Sequence, residues 1–343
     1  MKIILKEFVI ISLERNAKRY MKNIIFIDKD DFSFTLFNDI IKRKDTCVIK
    51  TGEKPNNKLV AMLKKVHLSD KINKIINLPL KHVWFDMARI NKNVEKSTVF
   101  LFPNFTLAKD IPVPVLHTLK KKYPYNKFVA ILVDSLNSHS VSNIYTKEKL
   151  NTFDWDMVLS FDKRDCDEYG FTFIGNHYYS VVGATVPLKI EKDIMYVGRQ
   201  HPNDGREKIV ESIYARIKNK VNCDFTIVGG HNLSAGIKTS NSIINYAELT
   251  KKIRTSNCIL EILQDGQQQQ TIRPFEAVVY NKKLLTNNPN ITKFEYYNPE
   301  YMRYFRTVDD IDINWIKDKT KINYNYKGDF SPVYLLKLIE KCR

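Results

Sequence analysis

Short apolar runs alternate with helix-patterned segments along nearly the whole chain, and the alternation starts afresh near residue 193. In the first half, residues 23–28, 47–51, 98–102, 128–134 and 157–161 read as strands. They are rich in β-branched and aromatic residues and lack a polar alternation, as strands buried on both faces of a parallel sheet do. Between them, 32–44, 57–66 and 113–122 read as helices, with Asp31 and Asn56 as N-caps. The second series has strands at 194–197, 225–228, 259–262 and 283–286 and helices at 204–219, 246–255 and 272–280. A βα series that runs twice predicts an α/β chain with two doubly wound, Rossmann-like domains. The expected division is 1–185 and 190–328, joined across 182–193, where Gly183 and Pro187 interrupt the pattern. Residues 329–343 predict a closing helix packed toward the first domain. Ser331 caps it, Pro332 sits in its first turn, and Leu335, Leu336, Leu338 and Ile339 share a face.

Composition narrows the class. At 343 residues, with 43% hydrophobic and 27% charged, the chain is globular and too long for one core. No apolar run reaches the roughly 18 residues of a membrane span. Residues 3–13 are apolar but short and broken by Lys6 and Glu7, so they do not read as a signal peptide. Five cysteines with no C-x-x-C pair point to reduced thiols in a cytoplasmic protein. The charge is lopsided. Residues 1–130 hold 26 of the 55 basic and 12 of the 38 acidic residues, so +14 of the net +17 lies there. That asymmetry predicts an anionic partner for the first domain: a membrane surface, a phosphorylated lipid, an acidic glycan or nucleic acid. A plain lysine-rich solvated surface is the other reading.

The densest chemical signal runs from Ile259-Leu260-Glu261-Ile262 through a loop containing Gly266 to Gln270-Thr271-Ile272-Arg273-Pro274-Phe275-Glu276. A strand ends, a loop follows and a helix begins near Thr271, with Pro274 in its first turn, where a missing N–H costs little. Free amides at such a helix start hold anions, and Arg273 adds a charged fork suited to a diphosphate. Glu276, three residues on, lies on the same side and offers a carboxylate to ribose hydroxyls. An ordinary capped helix with an Arg–Glu pair has the same spelling.

This segment, with the Lys282-Lys283-Leu284 strand that follows, resembles the donor site of GT-B glycosyltransferases. It is most similar to a group of bacterial lipopolysaccharide and capsule biosynthesis proteins. Two further stretches resemble the same group: Val133-Asp134-Ser135 with 153–162 and Tyr169-Gly170, and Met195-Tyr196-Val197-Gly198-Arg199 leading into Gly205-Arg206. Together they cover about residues 100–290. Gln268-Gln269-Gln270 departs from the group, which often has small or apolar residues there.

The resemblance implies two Rossmann-like domains facing each other across a cleft, and transfer of a sugar from a nucleotide-sugar donor to a saccharide or lipid-linked acceptor in surface polysaccharide synthesis. It implies that Arg273 contacts the donor diphosphate and acts in catalysis, and that Glu276 contacts the ribose. Gln270 and Thr271 would place backbone amides near phosphate, and Gly198, Arg199 and Arg206 would approach the donor. It implies no cofactor and no metal, since GT-B enzymes offset leaving-group charge with basic side chains and a helix N-terminus. Asp154-Trp155-Asp156 and Asp309-Asp310-Ile311-Asp312 have metal-like spelling, but the first precedes a strand and the second lies in an expected amphipathic helix. Asp134, at a strand end, is the candidate acceptor base, with a turn-capping role as its alternative; His139 and His177 are the other candidates. The location expected is cytoplasmic, peripheral on the inner face of the membrane. The competing functions are a nucleic-acid-binding or DNA-modifying glycosyltransferase, and a catalytically silent scaffold of the same fold.

Overall fold

The structure is a computed structural model that describes residues 21–342 apart from 29–30, 74, 77, 137–140, 181–187, 201–204, 230–232, 243 and 264–269. Twelve strands among the described residues form two six-stranded sheets, and every strand pair is parallel. The first contains β1 (Asn23–Ile27), β2 (Thr46–Lys50), β3 (Val99–Pro103), β4 (Lys127–Leu132), β5 (Met157–Ser160) and β6 (Thr172–Phe173), in the order β2-β1-β3-β4-β5-β6. The second contains β7 (Lys192–Arg199), β8 (Cys223–Val228), β9 (Lys238–Ser240), β10 (Ser256–Glu261), β11 (Lys283–Thr286) and β12 (Met302–Tyr304), in the order β12-β11-β10-β7-β8-β9. Read from one edge, the second sheet has the doubly wound arrangement of a Rossmann fold, with the strand order reversing between β7 and β10. The chain leaves β7 in one direction and returns to start β10 on its other side. The C-terminal ends of β7 and β10 therefore flank an open crevice.

Strand sequences such as Asn-Ile-Ile-Phe-Ile in β1 are buried at every position. Their side chains nonetheless alternate between two cores, because successive residues of a strand point to opposite faces. Ile25 and Ile27 join one cluster, Ile24 and Phe26 another. Met195 and Ile259 separate in the same way from Ile194, Cys258 and Leu260. The first of these clusters is shared by both halves of the chain. It takes in one face of each sheet, together with α1 (Asp31–Leu36) and the helices Asn38–Ile41, Tyr246–Arg254, Ile272–Val279 and Val333–Lys341.

The remaining helices used here are α2 (Lys58–His67), α3 (Val113–Lys122), α4 (Arg206–Ile217), α5 (Tyr246–Arg254), α6 (Ile272–Val279) and α7 (Val333–Lys341). Lys120, Lys121 and Lys122 in the last turn of α3 and Lys251, Lys252 and Arg254 in that of α5 complement the negative helix ends. The N-cap of α2 is Asn57, whose side chain accepts from the Leu59 and Val60 amides, so the cap lies one residue beyond Asn56. The expected helix over 32–44 is two short ones, broken at the fully buried Phe37. The three short strands β6, β9 and β12 carry too few apolar residues to read as strands in the sequence. Leu335, Leu336 and Ile339 of α7 enter the shared core, Ser331 donates to Asp39 at 2.7 Å, and Lys127 donates to the Cys342 carbonyl at 3.0 Å. The closing helix thus lies against the first half. Of the expected joint, residues 182–187 fall outside the described residues.

Candidate functional site

The crevice of the second sheet is where its chemistry-bearing residues meet. Thr271 caps α6 by accepting the Arg273 amide at 3.1 Å. Its hydroxyl donates to Glu261 at the end of β10, and Thr286 at the end of β11 donates to the other Glu261 oxygen. One buried carboxylate thereby ties two strand ends to a helix start. Burial pushes the Glu261 pKa up, although both hydroxyls and the nearby Arg273 pull it down. Glu261 is not among the residues the sequence singles out; the sign available is an acid inside the otherwise apolar run Ile259–Leu263.

Arg273 projects from the first turn of α6 to the end of β7, where it donates to the Val197 carbonyl at 3.0 Å. It also donates to Glu276 Oε2. Its side chain keeps 15% exposure, and these two bonds engage two of the five guanidinium N–H groups. Burial works against the cation, but Glu276 outweighs it, and the Arg273 pKa ends above its ordinary value.

Glu276, expected from the resemblance to contact the ribose, is 0% exposed. Oε2 accepts from Arg273 and Oε1 accepts the Tyr246 hydroxyl at 2.8 Å. Both oxygens are thus engaged within the protein, one of them by Arg273. Tyr246 spends its one proton on Glu276, so the Tyr179 hydroxyl donates to Tyr246. Tyr179 belongs to the segment that joins the halves: its amide donates to the Phe330 carbonyl, and the next residue, Ser180, donates to Leu36 of α1. A buried chain of Tyr179, Tyr246 and Glu276 thus runs from the joint to Arg273. Burial holds both tyrosines well above the ordinary phenol range, so they remain neutral donors. No sequence spacing points to this chain, because its members lie 30 and 67 residues apart.

The other sequence candidates sort differently. Gly198 has an ordinary extended backbone, and a Cβ there would meet the Tyr196 hydroxyl at 2.1 Å. Its smallness makes room for Tyr196, a neighbour of Arg273 close enough to raise its pKa. Arg199 is exposed at the strand end, and its carbonyl accepts from Arg206 at 2.7 Å. Arg206 therefore ties the start of α4 to the end of β7. Gln270 is fixed by side-chain bonds to Asn288 and Asn290, which lie just beyond β11. The loop with Gly266 falls outside the described residues.

Asp134 is exposed beyond the end of β4, and Asn104 Nδ2 donates to it at 3.5 Å. It and Glu261 both act electrostatically on the buried Tyr178, whose ring packs on Phe275 of α6. His177 packs on Tyr334 with ring centroids 3.9 Å apart and bonds the Asp329 carbonyl, a packing role. His139 falls outside the described residues. Asp156 pairs with Lys120 and accepts the Phe128 amide; Asp310 and Asp312 cap helical turns, and Asp309 pairs with Arg216. The expected amphipathic helix around Asp309 is a 3₁₀ turn (Val308–Asp310) followed by a short helix (Ile313–Lys317). Among the described residues no three His, Cys, Asp or Glu side chains gather as a metal site, and no helix is long and apolar enough to cross a membrane.

Two parallel α/β sheets in one chain, with a closing helix returned to the first half, define an architecture of the GT-B type. No family model matches this sequence, and no curated protein does. Among solved structures it is similar to the glycotransferase of kitacinnamycin, at 10% identity and TM-score 0.44 over 94% of this chain and 99% of that one. It is similar also to a UDP-forming trehalose-phosphate synthase from Burkholderia xenovorans, at 9% identity and TM-score 0.47 over 94% and 95%. The UDP-N-acetylglucosamine 2-epimerase from Rickettsia bellii aligns at 12% identity and TM-score 0.46 over 94% and 96%. Likeness at this level concerns the path of the chain and assigns no chemistry.

Proposed function

We propose that this chain is a glycosyltransferase whose nucleotide-sugar donor binds at the C-terminal edge of the second sheet. The observation that supports it most is the setting of Arg273. A guanidinium stands at the topological switch point, at the start of a helix, held from two sides by Glu276 and the Val197 carbonyl. Ligands of open α/β sheets bind at such points, and a fixed cation there suits a diphosphate. Pro274 contributes no N–H, so the helix start offers fewer amides than usual and Arg273 bears more of the charge. As the sugar leaves, negative charge grows on the diphosphate, and a preorganised donor stabilises it without reorganisation. The acceptor lies on the facing edge of the first sheet, where Asp134 is the candidate base. Gln270, Thr271, Gly198 and Arg199 shape the walls of the donor site. The basic first half suits an acceptor carried at a membrane, as in surface polysaccharide synthesis.

Thermal shift against UDP, GDP, CMP and dTDP species tests the donor site. A nucleotide at about 100 times its Kd adds roughly 2.7 kcal/mol. One of the four classes is expected to raise the Tm of the wild-type chain and to leave an Arg273→Ala/Glu276→Gln variant unmoved. No shift with any nucleotide, or an equal shift in both proteins, removes the proposal.

A further inference from the structure

Between β2 and β3 the chain builds a lobe over residues 57–84 whose helix is mounted back to front. In α2, Leu59, Met62, Leu63 and Val66 share one face, Lys64 lies opposite it, and the exposed Lys58 and Lys65 flank it, as the 3.6-residue repeat dictates. An amphipathic helix on a soluble body ordinarily buries its apolar face. Here Lys64 is on the inner side: it donates to the Glu53 carbonyl at 2.7 Å, and Asp110 lies close enough to act on it. The apolar face meets solvent, with Leu59 64%, Met62 63% and Leu63 54% exposed. None of the ten residues of α2 is buried.

The rest of the lobe also exposes apolar residues. Ile75 is 85% exposed, and Ile76, Leu80 and Val83 are exposed as well. His67 fastens the two parts together, bonding the Pro79 carbonyl through Nε2 and accepting the Trp84 indole N–H at Nδ1, both at 2.7 Å. Leu68, Trp84 and Met87 pack onto the outer core of the first sheet. The lobe is therefore an anchored platform that presents large apolar side chains outward, an arrangement monomeric soluble proteins avoid unless the surface has a partner. Its charge identifies the partner. Between residues 57 and 84 six lysines stand against one aspartate.

We propose that the 57–84 lobe is a docking surface for an anionic phospholipid bilayer, its apolar residues entering the headgroup–acyl boundary and its exposed lysines, Lys58, Lys65 and Lys71, meeting anionic headgroups. Exposed apolar residues flanked by lysine are the composition of interfacial helices, and each chemistry accounts for part of such binding. A protein partner of the same shape would not require the excess of positive charge. The lobe follows the C-terminal end of β2, and Asp134 follows β4 in the same parallel sheet, so both lie along one edge. Docking turns that edge toward the bilayer. This consequence for the acceptor rests on the transferase reading; the docking itself does not.

Co-sedimentation of the full chain with vesicles, without nucleotide, tests the docking. The wild-type chain is expected to bind phosphatidylglycerol-containing vesicles and to bind pure phosphatidylcholine far less, with binding weakened by salt. Leu63→Ser/Ile76→Ser, at exposed positions that leave the fold intact by Tm, is expected to weaken binding on the order of 100-fold, since each buried methylene contributes several-fold. Lys58→Glu/Lys65→Glu is expected to abolish the preference for anionic lipid. Binding that survives both variants would place the membrane contact elsewhere on the chain and overturn the proposal. So would an absence of binding, whether the chain stays monomeric or forms a dimer that the Leu63→Ser/Ile76→Ser variant disrupts. Nucleotide thermal shifts are measured without vesicles, so the two proposals fail separately.

Discussion

Arg273 shows how far a single residue can be understood from its neighbours. The sequence places it at a helix start; the structure shows that it neutralises a carboxylate with no exposure at all. Removing one member of a buried pair leaves the other charge uncompensated, at a cost of about 3–5 kcal/mol. Because Glu276 is buried, Arg273→Ala acts on the fold as well as on the site. Arg273→Ala is expected to lower the denaturation midpoint markedly. Arg273→Ala/Glu276→Gln is expected to recover most of the stability, because the neutral amide introduced at position 276 still accepts from Tyr246. Sugar transfer is expected to stay down by about 100-fold or more in both, by analogy with losing one oxyanion donor. Recovery of turnover along with stability would make Arg273 a structural residue only; urea midpoints and initial rates on the three proteins decide it. What was legible here was the residue type and its place on the helix. What was not was the depth of Glu276, because an i,i+3 spacing fixes the relative position of two side chains but not which side of the helix faces the core.

At the scale of elements, Glu261 fastens β10 to β11 and α6 through Thr286 and Thr271. Burial raises its pKa above that of an ordinary glutamate. A carboxyl that holds its proton more tightly when folded contributes fully below its unfolded pKa, about 4.3, and loses that contribution as pH rises through the folded value. Glu261→Gln keeps the shape and removes the titration. The Tm of the wild-type chain, measured relative to this variant, is therefore expected to fall as pH rises from about 4 to about 7. A constant difference across that range would show that Glu261 titrates normally. Long apolar strands and strongly periodic helices were readable because their own residues demand burial. The edge strands β6, β9 and β12 were not, since two or three residues acquire strand geometry only by pairing with a neighbour already in place.

Across the whole molecule, the shared core decides how the two halves behave. Joints between domains are by default mobile unless their interface is large and apolar. Here one cluster runs from β1 and α1 through Tyr179, Tyr246 and Phe275 to Phe330 and Leu335 of the closing segment. The chain is expected to melt in a single calorimetric transition. Leu335→Ala, at a site with no exposure, is expected to cost about 2–5 kcal/mol and to move that transition without splitting it. Two resolved transitions would mean that the halves fold independently. By itself the sequence determined two βα series, the strand-to-helix segment ending at Thr271, a lysine-rich first half and a closing amphipathic helix, since local propensity and apolar periodicity write these directly. Only the tertiary structure decided the order of the strands, the switch point that brings Val197 beside Arg273, the burial of Glu276 beneath Tyr246, and the outward turn of α2. Each of these depends on contacts between residues far apart in the chain, where the same local pattern is compatible with more than one packing.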